Sequence, residues 1–253
     1  MRRLAPLLAL STLLMLSACD RPASKPSAAS AAASSVKVDK EFGDKVRAYL
    51  LQNPEVLVEV SNALQQKQIA DAQAQVRASI PKFKARLERD SRDVVVNPKG
   101  KLTVVEFYDY NCAYCKVIAP EMMQIIRDHP NVRFVFKDYT LGKFGPTSEY
   151  AAAAARALAG KGLFLDAHSE MMSRKPLTDA MVDDLLTRNG ISPASVRALE
   201  AKPEQKAYLE DVRELAQAMG IDGTPAFVIG STPVSGADPE AIKAALAAEL
   251  AGL

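Results

Sequence analysis

The chain is poor in the residues that build most metal and acid–base sites. Of its 253 residues only two are histidines and three are cysteines. His129 and His168 lie far apart in sequence, and isolated histidines are ordinarily structural. A zinc site needs four ligands, and one Cys-x-x-Cys with no second pair leaves the rest to scattered His or carboxylates. No metal and no cofactor are therefore expected. Charge of one sign is also lacking: 32 Lys and Arg stand against 30 Asp and Glu, interspersed. A nucleic-acid partner calls for a basic stripe or patch, so none is expected. No Met/His cluster points to copper handling. The apolar segment 4–16, broken by Pro6, falls short of the roughly 20 residues a membrane span needs. What remains is an ordinary globular composition, 48% apolar and 25% charged, long enough for one large domain or two small ones.

The N-terminus reads as an address. Met1-Arg2-Arg3 is a basic start, and residues 4–16 form the apolar part of a secretory signal. Leu16-Ser17-Ala18-Cys19 resembles a bacterial lipobox, whose cysteine is lipidated and becomes the mature N-terminus. Residues 1–18 are then a lipoprotein signal peptide and Cys19 the lipid anchor, multiple acyl chains giving stable membrane attachment. Asp20 resembles the inner-membrane retention signal of enteric bacteria, which favours the inner membrane and leaves the outer one open. Residues 19–38 are rich in Ala, Ser, Pro and Lys, too polar to bury a core. They read as a flexible tether reaching roughly 25 Å from the membrane.

Residues 39–92 carry a helical pattern with one glycine, Gly43, and two prolines, Pro54 and Pro81. Asn53-Pro54-Glu55 reads as an N-cap, a proline at the first helical position and an acid in the first turn. Apolar residues follow at three- and four-residue spacings: Leu57, Val60 and Leu64, then Val76, Ile80, Phe83 and Leu87. The stretch 65–75 between them is polar, and Pro81 is expected to kink or break the helix near Ile80. Such a segment either packs back on its own domain or forms a self-association stalk that makes a homo-oligomer. Both remain open.

Residues 93–253 read as one α/β domain. Three valines, 94–96, precede the turn Asn97-Pro98-Lys99-Gly100 and a second strand at 102–108. That second strand is a nearly continuous apolar run, the mark of a central strand covered on both faces. Cys112-Ala113-Tyr114-Cys115 follows where the strand hands over to a helix reaching about His129, and a further strand occupies 132–137. Helical sequence then fills about 143–219. A turn at Thr224-Pro225 leads into a strand, Pro233-Val234 begins a partner strand, and Asp238-Pro239-Glu240 opens a last helix. This order is that of a thioredoxin fold with an inserted helical subdomain, preceded by an N-terminal helical stalk.

Glu106-Phe107-Tyr108-Asp109-Tyr110-Asn111 leading into the Cys-Ala-Tyr-Cys pair, with Gly223-Thr224-Pro225-Ala226 late in the chain, resembles the DsbA-like thiol–disulfide oxidoreductases. The Asn53-Pro54-Glu55 segment and the stretch 233–239 look like the subgroup containing the suppressor-of-copper-sensitivity protein C. The resemblance covers roughly 40–250. It departs from DsbA in the dipeptide, Ala113-Tyr114 in place of Pro-His, which weakens the expectation of strong oxidase character.

The chemistry of such a pair follows from thiolate formation, because only the thiolate attacks a disulfide. Cys112, at a helix N-terminus, is the expected nucleophile, its charge favoured by unpaired backbone N–H groups. Cys115, one turn further in and more buried, is expected to resolve the mixed disulfide. Glu106 interrupts an apolar strand. The resemblance implies that it relays protons for the buried thiol, with a pKa raised by burial. The resemblance also implies that Thr224-Pro225 is a cis-proline loop facing the cysteines, where the Thr224 backbone pairs with an extended client. Threonine before this proline is common in disulfide isomerases of the superfamily. Ala113 and Tyr114 complete the expected client-binding surface.

The expected activity is a periplasm-facing oxidoreductase that isomerises or forms disulfides in unfolded or mispaired secreted proteins, served by a membrane redox partner. The rival from another class is a non-enzymatic surface lipoprotein that uses the fold for adhesion or partner binding.

Overall fold

The computed structural model describes residues 39–253, so the signal peptide, the tether and Cys19 lie outside the described residues. The described chain divides into two units between Leu57 and Val58.

In the first unit, α1 (Lys40–Gln52) is capped by Asp39, whose carboxylate accepts from the Glu41 N–H at 3.1 Å. The Asn53 side chain serves this helix, not the next: its Nδ2 donates to the Tyr49 carbonyl at 2.9 Å. The next helix, α2 (Glu55–Glu88), begins one residue later than expected, with Pro54 just outside it, and the N-cap role expected of Asn53 gives way to a C-cap. A helix end leaves carbonyls as well as N–H groups unsatisfied, and an amide side chain can serve either. None of the residues of α1 is buried, and Phe42, Tyr49 and Leu51 stand exposed.

The second unit contains the rest of α2 and the sheet domain. Contrary to expectation, α2 runs unbroken through Pro81. A proline inside a helix forfeits one hydrogen bond and costs about 3 kcal/mol. Burial on both sides of it offsets that cost: Val76, Ile80 and Leu87 pack into a core with Val105, Phe107, Leu215 and Val228. Residues 76–88 therefore pack back on the domain. Leu57, Val58, Val60, Leu64 and Ile69 are exposed, so only the second half of the helix packs back on the domain.

Five strands form one sheet in the order β1-β3-β2-β4-β5, comprising β1 (Val94–Val96), β2 (Leu102–Tyr108), β3 (Val132–Asp138), β4 (Ala226–Ile229) and β5 (Thr232–Ser235). β2 lies at the centre, as its apolar run predicts. Its alternate residues feed two cores: Val104 and Tyr108 on one face, Val105 and Phe107 on the other. Helices α3 (Ala113–Asp128) and α9 (Pro239–Ala251) cover the first face, while α2 and α8 (Pro203–Met219) cover the second. Helices α4 (Thr147–Ala159), α5 (Phe164–Ser173), α6 (Asp179–Arg188) and α7 (Pro193–Glu200) complete the insertion.

Two connections set the geometry of the site. β2 and β3 are parallel, joined by α3, with Glu106 opposite Phe136. β4 is antiparallel to β2, with Phe107 opposite Ala226, so the segment entering β4 arrives at the end of β2 where α3 begins. The turn after β1 does not make a hairpin with β2; β1 pairs with β3 instead, Val95 opposite Val135. Asn97 takes a left-handed conformation there (φ 51°). Gly100 passes so close to the backbone of β3 that a Cβ would meet the Arg133 nitrogen at 2.3 Å, room that only glycine leaves.

Candidate active site

The loop between β2 and α3 is built to hold one sulfur at a helix start. Asp109 accepts from the Asn111 N–H at 2.8 Å and from the Ser148 hydroxyl at 2.6 Å, an Asx turn pinned to α4. The Asn111 side chain exchanges two bonds with the backbone of Leu177, accepting from its N–H at 3.0 Å and donating to its carbonyl at 3.3 Å. Both ends of the turn are thus tied to the helical insertion. Cys112 is the N-cap of α3 with extended backbone, and its carbonyl accepts the first helical bond from the Lys116 N–H.

Cys112 and Cys115 are free thiols, and both are buried. The Cys112 thiol lies well below its ordinary value near 9, at about 5. The largest cause is a hydrogen bond from the Cys115 thiol. Thr224 and the N–H groups of Cys115 and Tyr114 add to it, against an opposing effect of burial. Thr224 contacts the sulfur through its backbone. Its carbonyl oxygen, 3.2 Å from Cys112 Sγ, accepts from the protonated thiol. A carbonyl cannot stabilise a thiolate, so the lowering effect of Thr224 is a minor one beside that of Cys115, and its buried hydroxyl makes no hydrogen bond in this arrangement. Cys115 is shifted the other way, far up, first by burial and then by its hydrogen bond to Cys112 and the charge there. The two thiols are therefore split into one that ionises and one that does not, the division of labour that a nucleophile and a resolving thiol require.

Glu106 sits in the middle of β2, 3% exposed, with Oε2 lacking any hydrogen-bond partner. Burial pushes its pKa up to about 8, so it holds its proton at neutral pH. Its charge is among the influences that raise Cys115, which puts it within electrostatic reach of that thiol. A carboxylate running out to solvent does not describe this residue. The Thr224–Pro225 peptide is cis and faces the cysteines. Tyr114 is 67% exposed and Ala113 is exposed beside it.

The structure thus brings Cys112, Cys115, Thr224, Pro225, Ala113 and Tyr114 to one end of the sheet, with Glu106 further down β2 within electrostatic reach of Cys115. Cys19 lies outside the described residues. Asp109 and Asn111, which hold the loop, were not singled out in the sequence. Their signal was available, since Asx residues just before a helix start commonly make such turns. Of the histidines, His168 is buried beside Tyr110, 3.0 Å from its hydroxyl, and burial pushes its pKa down to about 3. Among the described residues, no group of three or more His, Cys, Asp or Glu is arranged to hold a metal ion. No helix there is long and apolar enough to cross a membrane.

Comparison with known proteins agrees with this geometry. Residues 103–247 match the DSBA-like thioredoxin domain, and residues 40–70 match the N-terminal domain of copper resistance protein ScsC. Among solved structures, ScsC of Proteus mirabilis in a transitional conformation is 32% identical. The match covers 85% of this chain and 97% of that one, with a TM-score of 0.62. Disulfide bond formation protein D of Bacillus subtilis is 28% identical over 165 residues, 60% of this chain and 73% of that protein. Na(+)/H(+) antiporter NhaA 1 of Salinispora arenicola is 27% identical over 164 residues, so that the chain spans only 25% of the antiporter's length. With the domain match extending over more than half of its residues, and the ScsC N-terminal match preceding it, the chain belongs to the DSBA-like thioredoxin family, in its ScsC-like subgroup.

Proposed function

We propose that the chain is a periplasm-facing, lipid-anchored thiol–disulfide oxidoreductase that isomerises or forms disulfides in secreted client proteins through Cys112 and Cys115. The observation that carries this reading is the split pair: a Cys112 thiol near pKa 5 at the start of α3 against a Cys115 thiol held protonated behind it. In the dithiol form, the Cys112 thiolate attacks a client disulfide. The client S–S bond breaks, a Cys112–client bond forms, and the other client sulfur leaves as a thiolate. Isomerisation follows when that thiolate, or another in the client, attacks elsewhere and finally returns Cys112 as a thiolate, with no net electron transfer. If Cys115 attacks instead, the Cys112–Cys115 disulfide forms and the client leaves as a dithiol, two electrons richer. Dithiol oxidation runs that sequence backwards and needs a membrane redox partner to withdraw the two electrons.

Glu106 is assigned the proton exchange with Cys115, and the cis Thr224–Pro225 loop with Ala113 and Tyr114 the client contact. Cys19 is assigned the lipid anchor, beyond a signal peptide of 1–18, with 19–38 as tether. Within 39–92, α1 and the first half of α2 are assigned self-association, supported by their exposed apolar residues.

The test uses the full chain with ribonuclease. Reactivation of scrambled ribonuclease that disappears in Cys112→Ser is the expected result for an isomerase. Rapid oxidation of reduced ribonuclease without reactivation assigns the chain to dithiol oxidation. Failure in both assays overturns the oxidoreductase reading and leaves adhesion or partner binding.

A further inference from the structure

Beside the cysteine pair lies a cleft of about 660 Å³ between the start of α3 and the helical insertion. Its walls are apolar: Ala113 and Val117 from α3, and Phe144 and Pro146 from the segment before α4. Val117 is exposed, although it sits on the helix that carries the nucleophile. The ionisable side chains that line the cleft are both lysines, Lys116 and Lys175.

Lys116 directly follows Cys115. Its stem is buried along the wall, and its Nζ donates to the Arg174 carbonyl at 2.5 Å. Burial lowers its pKa and the positive charge of Lys175 lowers it further, while Asp109, Cys115 and Cys112 act in the opposite sense. The two lysines therefore feel one another and the thiols, and no carboxylate in the cleft separates them. Lys143 adds a third cation beside Phe144, its Nζ 5.1 Å from the ring centre. Of the acids around the cleft, Asp109 acts on Lys116 and the other two are paired with arginines. Asp109 accepts from Asn111, Leu141 and Ser148. Asp179, behind Thr147, is paired with Arg197, and Glu170 with Arg174 and Arg188.

We infer that this cleft selects client segments carrying an apolar side chain and a carboxylate close to the cysteine that Cys112 engages. The inference rests on the oxidoreductase reading and specifies its substrate class. An apolar wall with a one-sign rim recognises an amphipathic acidic segment: the wall accepts the side chain, and the lysines receive the carboxylate. The charged rim acts chiefly by steering encounter and rejecting basic segments, an effect that salt screens.

The test offers the full chain in its dithiol form a set of homodimeric peptides, each joined by one central disulfide. Each pair of fluorophores is quenched until the two halves part. The peptides carry Leu beside the cysteine and Glu, Gln or Lys at each position up to three residues on either side. Cys112 breaks the peptide disulfide and releases one half as a thiolate. Cys115 then closes on Cys112 and releases the second half. Every rate is divided by that with β-mercaptoethanol, which removes the effect of peptide charge on the peptide's own sulfur.

The best Glu peptide is expected to react roughly three- to tenfold faster than its Lys counterpart at low salt. That ratio is expected to fall towards one in Lys175→Glu, to fall also in Lys143→Glu, and to shrink as salt is raised. Equal normalised rates across the set, or a ratio untouched by both substitutions, overturn the acidic-client cleft while leaving the oxidoreductase reading in place. Failure to release any peptide, the Gln series included, removes that reading and the cleft with it.

Discussion

Cys112 and Glu106 show how burial and hydrogen bonding pull pKa values in opposite directions within one site. Cys112, at about 5, lies between the roughly 3.5 of DsbA and the roughly 7 of thioredoxin. It is a stabilised thiolate without a histidine in the dipeptide. Donors from Cys115 and the turn of α3, together with Thr224, supply the stabilisation. Glu106 has no donors and is left to desolvation alone. The sign of its effect on folding follows. Its folded pKa, about 8, is raised above the ordinary 4.5, so its contribution is fully present below pH 4.5 and lost as pH rises through 8. Glu106→Gln should therefore match the wild type in denaturant unfolding near pH 4. At pH 9 it should exceed the wild type by a few kcal/mol. The same variant should slow release of the Cys112 mixed disulfide at neutral pH, because the amide cannot exchange a proton with Cys115. Unfolding curves that stay parallel to the wild type at every pH would show that the Glu106 carboxyl is not desolvated.

At the scale of elements, one buried ion pair fastens α2 to the sheet. Lys137, on β3, places Nζ 2.6 Å from Asp93 and 2.6 Å from the Arg86 carbonyl near the end of α2. The Tyr208 hydroxyl of α8 donates to the other Asp93 oxygen at 3.1 Å. Burial pushes Asp93 up to about 6 and Lys137 down, so each holds its charge only through the other. Removing one partner of such a pair costs about 3–5 kcal/mol, whereas replacing both with apolar residues is often nearly neutral. Lys137→Met is thus expected to lower stability by about that amount. The double variant Lys137→Met, Asp93→Leu should recover a large part of the loss, as read by urea unfolding. The sequence shows a lysine ending an apolar strand and an aspartate before β1, but not that they meet. Their pairing depends on β1 falling beside β3 and not beside β2.

For the whole molecule, the unburied apolar residues count most. Leu57, Val60 and Leu64 share one side of α2 at helical spacing, each more than half exposed, and Phe42, Tyr49 and Leu51 are similarly bare on α1. Apolar patches of this kind commonly mark interaction sites. The full chain is expected to sediment as an oligomer, and Leu57→Ser with Val60→Ser and Leu64→Ser to release the monomer. The triple variant should keep the unfolding transition of the sheet domain, since none of the three residues is buried. A monomer at every concentration in the unsubstituted chain would remove self-association from the proposal.

The sequence by itself determined the central strand, the helix that follows it and the sulfur at their junction. These are local matters: an apolar run, a turn and a helix start are written in neighbouring residues. It also carried the proline loop and the capped last helix, since proline and aspartate act on the backbone beside them. Tertiary structure decided the rest. Pro81 was expected to kink or break a helix; the helix runs on through it, because Ile80 and Leu87 are held by residues of the sheet far along the chain. Asn53 was read as serving the helix after it and serves the one before, a choice between two neighbours that no spacing distinguishes. The pKa split of Cys112 and Cys115 needs the burial that distant segments impose, and the antiparallel entry of β4 brings the Thr224 carbonyl, 112 positions away in sequence, onto the Cys112 sulfur. The lysine-rimmed cleft is assembled from three separated segments, around residues 116, 144 and 175. Local conformation is set by adjacent residues. Burial and charge proximity depend on which distant residues fold into contact, and those decided how this site ionises.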